Sequence, residues 1–212
     1  MSKQYFSDRL IKEFDRGLRT LTKSSRNAQR INPAEALEES DLSENETQLS
    51  GRLMRVNHAG EIAAQGLYHG QALTAKDHAT LNQMQISAKE EEDHLAWCEQ
   101  RLNELQTPRS LIGPVWYLGS YAIGATAGLF GDRWSLGFVA ETEDQVEKHL
   151  QDHLQKLPSQ DQKSRAIIEK MKLDEHQHGQ AARDLGGKQL PTPVQKTMQL
   201  ISKIMTTGAY WA

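Results

Sequence analysis

The sequence predicts an all-α protein built around a four-helix bundle, and three observations lead to that class. From residue 47 onward the chain has no alternating strand pattern and few clusters of β-branched residues. Helix start and stop signals recur along the same region. A lone Glu followed by a Glu-x-x-His motif occurs twice in succession. A core of four facing helices can bring such residues together.

Six helices are expected after the N-terminal region, and boundary signals place them. In order, they run from the Ser43-x-x-Glu46 capping box to about Thr74, from Asp77 to about Leu105, over 111–130, from near Arg133 to before Pro158, from the Ser159-x-x-Gln162 cap to Gly186-Gly187, and, as a short helix, from Pro193 to the C-terminus. The polar caps accept hydrogen bonds from the free N–H groups of a first turn, whereas Pro and Gly end helices.

The chain divides into an N-terminal region at 1–46 and a helical bundle domain at 47–212. The first thirty residues hold eight Lys or Arg against three acids, with apolar residues near helical spacing. This pattern predicts a basic amphipathic helix, which could lie on an anionic membrane surface, dock on a protein partner or pack on its own domain. An acidic linker containing Pro33 follows at 32–47.

Composition excludes several classes of protein. The 212 residues carry a net charge of −3, so there is no overall basic signal for a nucleic-acid partner. The single cysteine, Cys98, rules out an internal disulfide and a Cys-x-x-Cys metal site, and it is compatible with a reducing compartment. The first thirty residues lack the continuous apolar core of a secretory signal.

The candidate metal ligands follow the order Glu61, Glu91-x-x-His94, Glu143 and Glu175-x-x-His178. Glu61 precedes Glu91 by 30 residues, and Glu143 precedes Glu175 by 32. Positions i and i+3 are neighbours on one helical face, so each motif presents a carboxylate and an imidazole on the same side. In each helix these residues fall in the row that faces a bundle interior.

Carboxylates that face a core need compensation, because buried ions are costly and like charges repel each other. Two divalent cations would neutralise four carboxylates, and two imidazoles would complete the ligand set. Oxygen and nitrogen ligands without thiolate favour iron, manganese or zinc. Glu90 and Asp174, one turn before each ligand His, remain alternative ligands. The other histidines are interpreted as surface groups or hydrogen-bond partners of ligands: His58, His69, His78, His149, His153 and His176.

An uncharged stretch covers residues 110–131. If it crossed a membrane, the two halves of the ligand set would lie on opposite sides and could not form one site. The stretch is therefore expected either to be a buried core helix or to lie in the membrane interface, with Trp116, Tyr117 and Leu118 as the docking face. The second alternative suggests a lipid-like substrate. The spacing of Gly124 and Gly128 allows close helix contact.

Four segments of the chain resemble the bacterial demethoxyubiquinol hydroxylases of ubiquinone biosynthesis. They are Leu53-Met-Arg-Val-Asn-His-Ala-Gly-Glu61, Glu90-Glu-Glu-Asp-His-Leu-Ala-Trp-Cys98, Gly131-Asp-Arg-Trp134 and Gly137-Phe-Val-Ala-Glu-Thr-Glu143. The resemblance covers about residues 30–212, and all six ligand positions match at the family spacing. It implies a ferritin-like fold, two Fe ions per chain, and O2-dependent hydroxylation of the ring of a prenylated demethoxyubiquinol.

The resemblance also implies where the protein acts and how its ligands divide. It implies a peripheral protein on the cytoplasmic side of the cell membrane, with other ubiquinone-biosynthesis proteins as candidate partners. The symmetric spacing favours Glu91 and Glu175 as bridging ligands, with Glu61 and Glu143 terminal. Tyr68, one heptad after Glu61, is interpreted as a core tyrosine, with a hydrogen-bond donor to a ligand or a radical relay as alternatives.

Two other functions use similar residues. Ferritin-like iron storage or peroxide handling would use the same ligands, but storage needs no apolar membrane-facing helix, and a four-Cys iron site is excluded by the single cysteine. A non-enzymatic lipid-binding helical scaffold would leave the acids solvated and would contain no stoichiometric iron.

Overall fold

The computed structural model describes residues 15–22 and 28–212, and this part of the chain consists of helices and connecting loops, without a strand. The helices are α1, described over 15–22, α2 Glu44–Thr74, α3 His78–Glu104, α4 Gly113–Leu129, α5 Asp132–Lys156, α6 Gln162–Asp184 and α7 Thr192–Trp211. The rest of the expected N-terminal helix lies outside the described residues. The all-α class predicted from the sequence is confirmed.

Helices α2, α3, α5 and α6 form the bundle. Helix α2 packs on α3, α5 packs on α6, and α3 and α6 close the core between the two pairs. The largest apolar cluster includes side chains from all four helices, among them Met54, Leu102, Leu150 and Ile168. All four are at most 1% exposed, and burying each such side chain contributes about 1.5–3 kcal/mol to folding.

Two helices outside the bundle, α4 and α7, lie against α2. Helix α4 makes its main contact there, and α7 packs on the same helix. The two meet where Gly208 of α7 faces Ile112 and Trp116 at the start of α4. The C-terminal helix was expected to be short, but it has 20 residues. It begins at Thr192, one residue before Pro193. Proline is tolerated in the first turn because the N–H groups there have no carbonyl acceptor within the helix.

Two of the three predicted caps are correct. Ser43 and Glu46 form the reciprocal capping box of α2, and Asp77 accepts from the first N–H groups of α3. The predicted Ser159 cap of α6 is wrong: Asp161 is the N-cap and accepts from the Ser164 N–H at 3.1 Å. Asp161 is also held 2.9 Å from the buried Arg101 guanidinium, an interaction that sequence spacing does not reveal.

Glycines explain how α4 lies so close to α2. Those at the contact are Gly66 and Gly70 on α2 and Gly124 and Gly128 on α4. A Cβ atom at Gly70 would lie 2.1 Å from the carbonyl oxygen of Tyr121, which is far inside van der Waals contact. The small-residue spacing predicted to permit close approach is therefore confirmed, and the matching glycines on α2 extend it.

The opposite side of α4 is apolar and exposed. Leu111, just before the helix, is 87% exposed, Leu118 is 64% exposed and Leu129 is 69% exposed. The stretch is therefore not a buried core helix, although its Gly and Tyr117 face is buried. Within the described part of the chain, every helix is too short or too polar to span a bilayer.

The N-terminal region packs on the bundle where it is described. Gly17 of α1 lies against the Tyr117 ring, and Leu21 packs on the cluster of Ile62, Leu95 and Tyr117. The sequence allowed this helix to lie on a membrane, dock on a protein partner or pack on its own domain. Residues 15–22 pack on their own domain.

We predict that Gly70→Ala destabilises the protein by about 1–3 kcal/mol, because the added methyl group would force α4 away from α2. Gly60→Ala in the same helix is the matched control. Among the described residues, no atom outside the adjoining backbone of its own helix lies within 4 Å of the added Cβ, so this variant should be neutral or stabilising by up to about 1 kcal/mol. Denaturant unfolding of both variants measures this. Equal effects would contradict the close-contact explanation.

Candidate metal centre

The four bundle helices each contribute to one buried group of acids and imidazoles. Glu61 comes from α2, Glu91 and His94 from α3, Glu143 from α5, and Glu175 and His178 from α6. All six residues are at most 3% exposed. The bundle therefore brings together every metal ligand that the sequence predicted.

These side chains form two overlapping groups. One contains Glu61, Glu91, His94 and Glu175, and the other contains Glu91, Glu143, Glu175 and His178. Within each group, one candidate ligand atom per residue lies within 4.8 Å of the others. Glu91 and Glu175 belong to both groups, which is the arrangement expected of bridging carboxylates, while Glu61 and Glu143 each belong to one.

Both imidazoles turn the same ring nitrogen toward the carboxylates. His94 Nδ1 lies 2.9 Å from Glu91 Oε2 and 3.3 Å from Glu175 Oε1. His178 Nδ1 lies 3.2 Å from Glu91 Oε1 and 3.3 Å from Glu175 Oε2. Nδ1 is therefore the atom that each histidine offers to a cation.

The outer nitrogens of the same rings face two further acids. His94 Nε2 lies 3.0 Å from Asp174 Oδ2, and His178 Nε2 lies 2.5 Å from Glu90 Oε2. Each acid comes from the helix opposite its histidine. Glu90 and Asp174, the alternative ligands, are absent from both groups and instead orient the rings, a role that acids often have beside metal-bound histidines.

Tyr68 provides a further contact to the group. Its hydroxyl donates a hydrogen bond to Glu143 Oε1, and the side chain is 1% exposed. Burial, and then the charge of Glu143, raise the pKa of this phenol well above its ordinary value, so it remains a donor. Of the roles predicted for Tyr68, the structure therefore shows a buried tyrosine that donates a hydrogen bond to a proposed metal ligand.

The charges of the group suit divalent cations. Burial, followed by the charge of Glu91, raises the pKa of Glu61, and burial followed by the charge of Glu175 raises that of Glu143. Among the described residues, Glu61 Oε2 and Glu91 Oε1 accept no hydrogen bond although both atoms are buried. Buried acceptor oxygens with two imidazole nitrogens, and no thiolate in either group, fit a pair of ions such as iron or manganese.

A narrow cavity of about 50 Å³ reaches the group between α2, α5, α6 and α7. Three of the proposed ligands are among the residues that line it: Glu61, Glu143 and Glu175. Its other walls are mainly apolar or small side chains, including Val56, Ala64, Val146, Leu150 and Met205. A hydrophobic molecule entering here would arrive at the carboxylates from the α7 side.

Comparison with known proteins agrees with this geometry. The family model for ubiquinone biosynthesis protein COQ7 matches residues 48–209. The chain belongs to this family. The resemblance seen in the sequence is therefore confirmed.

Several relatives match nearly the whole chain, each over 204 residues and 96% of it. Identity is 52% to a protein of Nitrosococcus oceani, 53% to one of Polynucleobacter necessarius and 54% to one of Acinetobacter baumannii, covering 95%, 97% and 96% of those proteins. All three are named 3-demethoxyubiquinol 3-hydroxylase.

One residue beside the ligand groups, Arg30, was not predicted from the sequence. Its guanidinium lies 2.7 Å from Asp93 and 2.8 Å from Asp174. Arg30 precedes the matched part of the COQ7 family model and lies in a segment that is not helical in the structure. No local sequence pattern indicated a role for Arg30, because Asp93 and Asp174 are more than 60 residues away along the chain.

The expectation for the other histidines needs correction. His58, His69 and His153 are buried in the bundle rather than on its surface. His69 lies 2.9 Å from the Tyr117 hydroxyl, and the ring centroids of His149 and His153 are 3.9 Å apart. Burial lowers the pKa of His149 to about 4 and, with the repulsion of His149, that of His153 to about 2. His78 and His176 are exposed as expected.

We predict that His153 makes folding sensitive to mild acid. The unfolded chain binds a proton on this residue near pH 6.5 and the folded chain does not, so stability is lost as the pH falls below 6.5. From pH 7 to pH 5 the loss from this residue is about 2 kcal/mol. His153→Gln should reduce the pH dependence of the unfolding free energy by that amount. An unchanged dependence would show that His153 titrates normally when folded.

Proposed function

We propose that this protein is a 3-demethoxyubiquinol 3-hydroxylase, an O2-dependent monooxygenase that holds two Fe ions per chain. The observation that carries the proposal is the pair of overlapping ligand groups, which share Glu91 and Glu175 and open onto an apolar cavity. The names of the near-full-length relatives supply the substrate.

Each residue of the centre has a role in holding the ions. Glu91 and Glu175, which belong to both groups, would be shared by the two ions; Glu61 and His94 would complete one position, and Glu143 and His178 the other. Bound in this way, the ions would supply the chemistry that activates O2. Tyr68 donates to Glu143 and so fixes the orientation of that carboxylate. The four carboxylates balance the charge of two divalent ions, so the filled centre would be nearly neutral.

The cavity marks the path along which the substrate would reach the centre. A quinol ring entering beside Val146 and Met205 would approach Glu61, Glu143 and Glu175, while the prenyl chain would extend toward α7. In the overall reaction a ring C–H bond becomes C–OH with one oxygen atom of O2. The other oxygen atom leaves as water, which requires two electrons and two protons. A reductase or the quinol itself supplies the electrons.

We predict that the purified chain, given Fe(II), a reductant and O2, hydroxylates a short-tail demethoxyubiquinol, and that Glu143→Gln abolishes turnover. The amide removes one negative charge from the centre but keeps the side-chain size, so the helical circular dichroism should be retained. Quinol products are measured by chromatography.

The matched control for this prediction is Glu147→Gln, one turn along the same helix. Glu147 contacts the exposed His176, so this variant should keep wild-type activity. Normal turnover in Glu143→Gln would remove that residue from the centre. Iron far above two per chain would favour storage, and absence of stoichiometric iron would favour the scaffold.

We further propose that the protein binds the cytoplasmic side of the cell membrane peripherally. The support is the exposed apolar surface of α4 and α7, defined by Leu111, Val115, Leu118, Leu129, Phe130, Leu200, Ile201, Ile204 and Trp211. The exposed Lys196 and Lys203 accompany it on α7 and can approach anionic head groups. The docking face expected from the sequence needs correction, because Tyr117 is 3% exposed and faces His69.

We predict that the Leu118→Asp/Ile204→Asp double variant loses most of its flotation with anionic phospholipid vesicles. Placing two charges in the apolar surface of α4 and α7 opposes burial among acyl chains. Leu173→Asp is the control, since Leu173 is 51% exposed on α6, away from that surface, and should float as the wild type does. Equal flotation of all three proteins would exclude this surface as the docking face.

A further inference from the structure

Arg30 connects the N-terminal segment to both helices that carry the Glu-x-x-His motifs. Its Nε donates to Asp93 on α3 at 2.7 Å and its Nη1 donates to Asp174 on α6 at 2.8 Å. Its Nη2 donates to the backbone carbonyl of Glu90 at 3.2 Å. One guanidinium therefore joins α3 to α6 at the level of the metal centre.

Two separate contacts lead from Arg30 to His94. In the first, Asp174 lies between them, with Oδ2 2.8 Å from the arginine and 3.0 Å from His94 Nε2. In the second, the guanidinium lies 4.9 Å from the centre of the Trp97 ring, whose centroid is 5.4 Å from that of His94. The imidazole is thus supported both at its outer nitrogen and on its flank.

The equivalent position beside His178 is built differently. His178 Nε2 faces Glu90, whose side chain is 38% exposed, whereas the Asp174 side chain beside His94 is 3% exposed. Asp174 also accepts hydrogen bonds from two cationic side chains, Arg30 and Lys170. The two halves of the centre share a ligand pattern but differ in what holds their histidines.

We propose that Arg30 is a positioning residue for His94 and so makes the two metal positions unequal. For Nδ1 to offer its lone pair to a cation, Nε2 must carry the ring proton and donate it to an acceptor. Arg30 holds the Asp174 carboxylate in the position where its Oδ2 accepts the hydrogen bond from His94 Nε2. Without the guanidinium, Asp174 would keep His94 itself and the flexible Lys170, whose single ammonium does not fix a carboxylate plane.

The test is an anaerobic Fe(II) titration of the full-length chain, followed by Mössbauer spectra of the iron-loaded protein. In Arg30→Gln one of two iron equivalents should bind about tenfold more weakly, as is typical when the hydrogen-bond partner of a metal-bound histidine is disturbed. The other equivalent should keep its affinity. The spectral component that changes should be the one altered in His94→Asn, not the one altered in His178→Asn.

Two further variants separate positioning from general stability. Arg109→Gln removes another loop arginine paired with a buried acid of α3, Glu99, away from the ligand groups, and it should leave both equivalents unchanged. Arg30→Lys retains a charge beside Asp174 and should recover part of the lost affinity.

Two results would overturn this inference. Unchanged binding and spectra in Arg30→Gln would show that Arg30 does not act on the centre, and equal weakening of both equivalents would make its role purely structural. The inference rests on the proposed metal centre, and the two can fail separately. A wild-type chain that binds no iron would remove the centre itself, whereas a wild-type chain with two irons and an unaffected Arg30→Gln variant would remove only the role of Arg30.

Discussion

The burial of four carboxylates in the centre of a helical bundle is the constraint on which the rest of this structure depends. Ions in such a place are stable only when other charges and hydrogen bonds compensate them. Two imidazoles face the carboxylates with Nδ1, and Tyr68 donates to Glu143. Divalent cations would complete the compensation. The apolar rows that surround these residues keep water away, which strengthens every interaction among them.

The two sides of the bundle have different properties, and the difference suits the proposed reaction. On one side, α4 and α7 lie on α2 and expose apolar side chains, and a narrow cavity passes from α7 to the carboxylates. On the other, Glu90, Asp174 and Arg30 form a charged layer behind the histidines. A hydrophobic quinol would approach from the first side, while the second holds the imidazoles in place.

Much of the fold and the site could be predicted because the relevant signals are local. The Ser43 capping box and the Asp77 cap each lie within four residues of the groups they bond. The six proposed ligands were found because Glu-x-x-His repeats at helical spacing within apolar rows. Errors arose where a distant contact decided the outcome. Arg101 accounts for the place of Asp161 at the start of α6, and contacts with Ile62, Leu95 and His69 account for the burial of Tyr117.

The sequence by itself determined the helical class, the approximate helix boundaries and the identity of the residues that converge. Periodicity and capping act over one or two turns, so they can be read without knowing the fold. Only the tertiary structure decided which nitrogen of each histidine faces the centre, that Glu90 and Asp174 stand behind the rings, and that Arg30 reaches Asp174 across 144 positions of the chain. Those arrangements depend on how α3 and α6 are placed against each other, and helix placement results from the packing of the whole bundle.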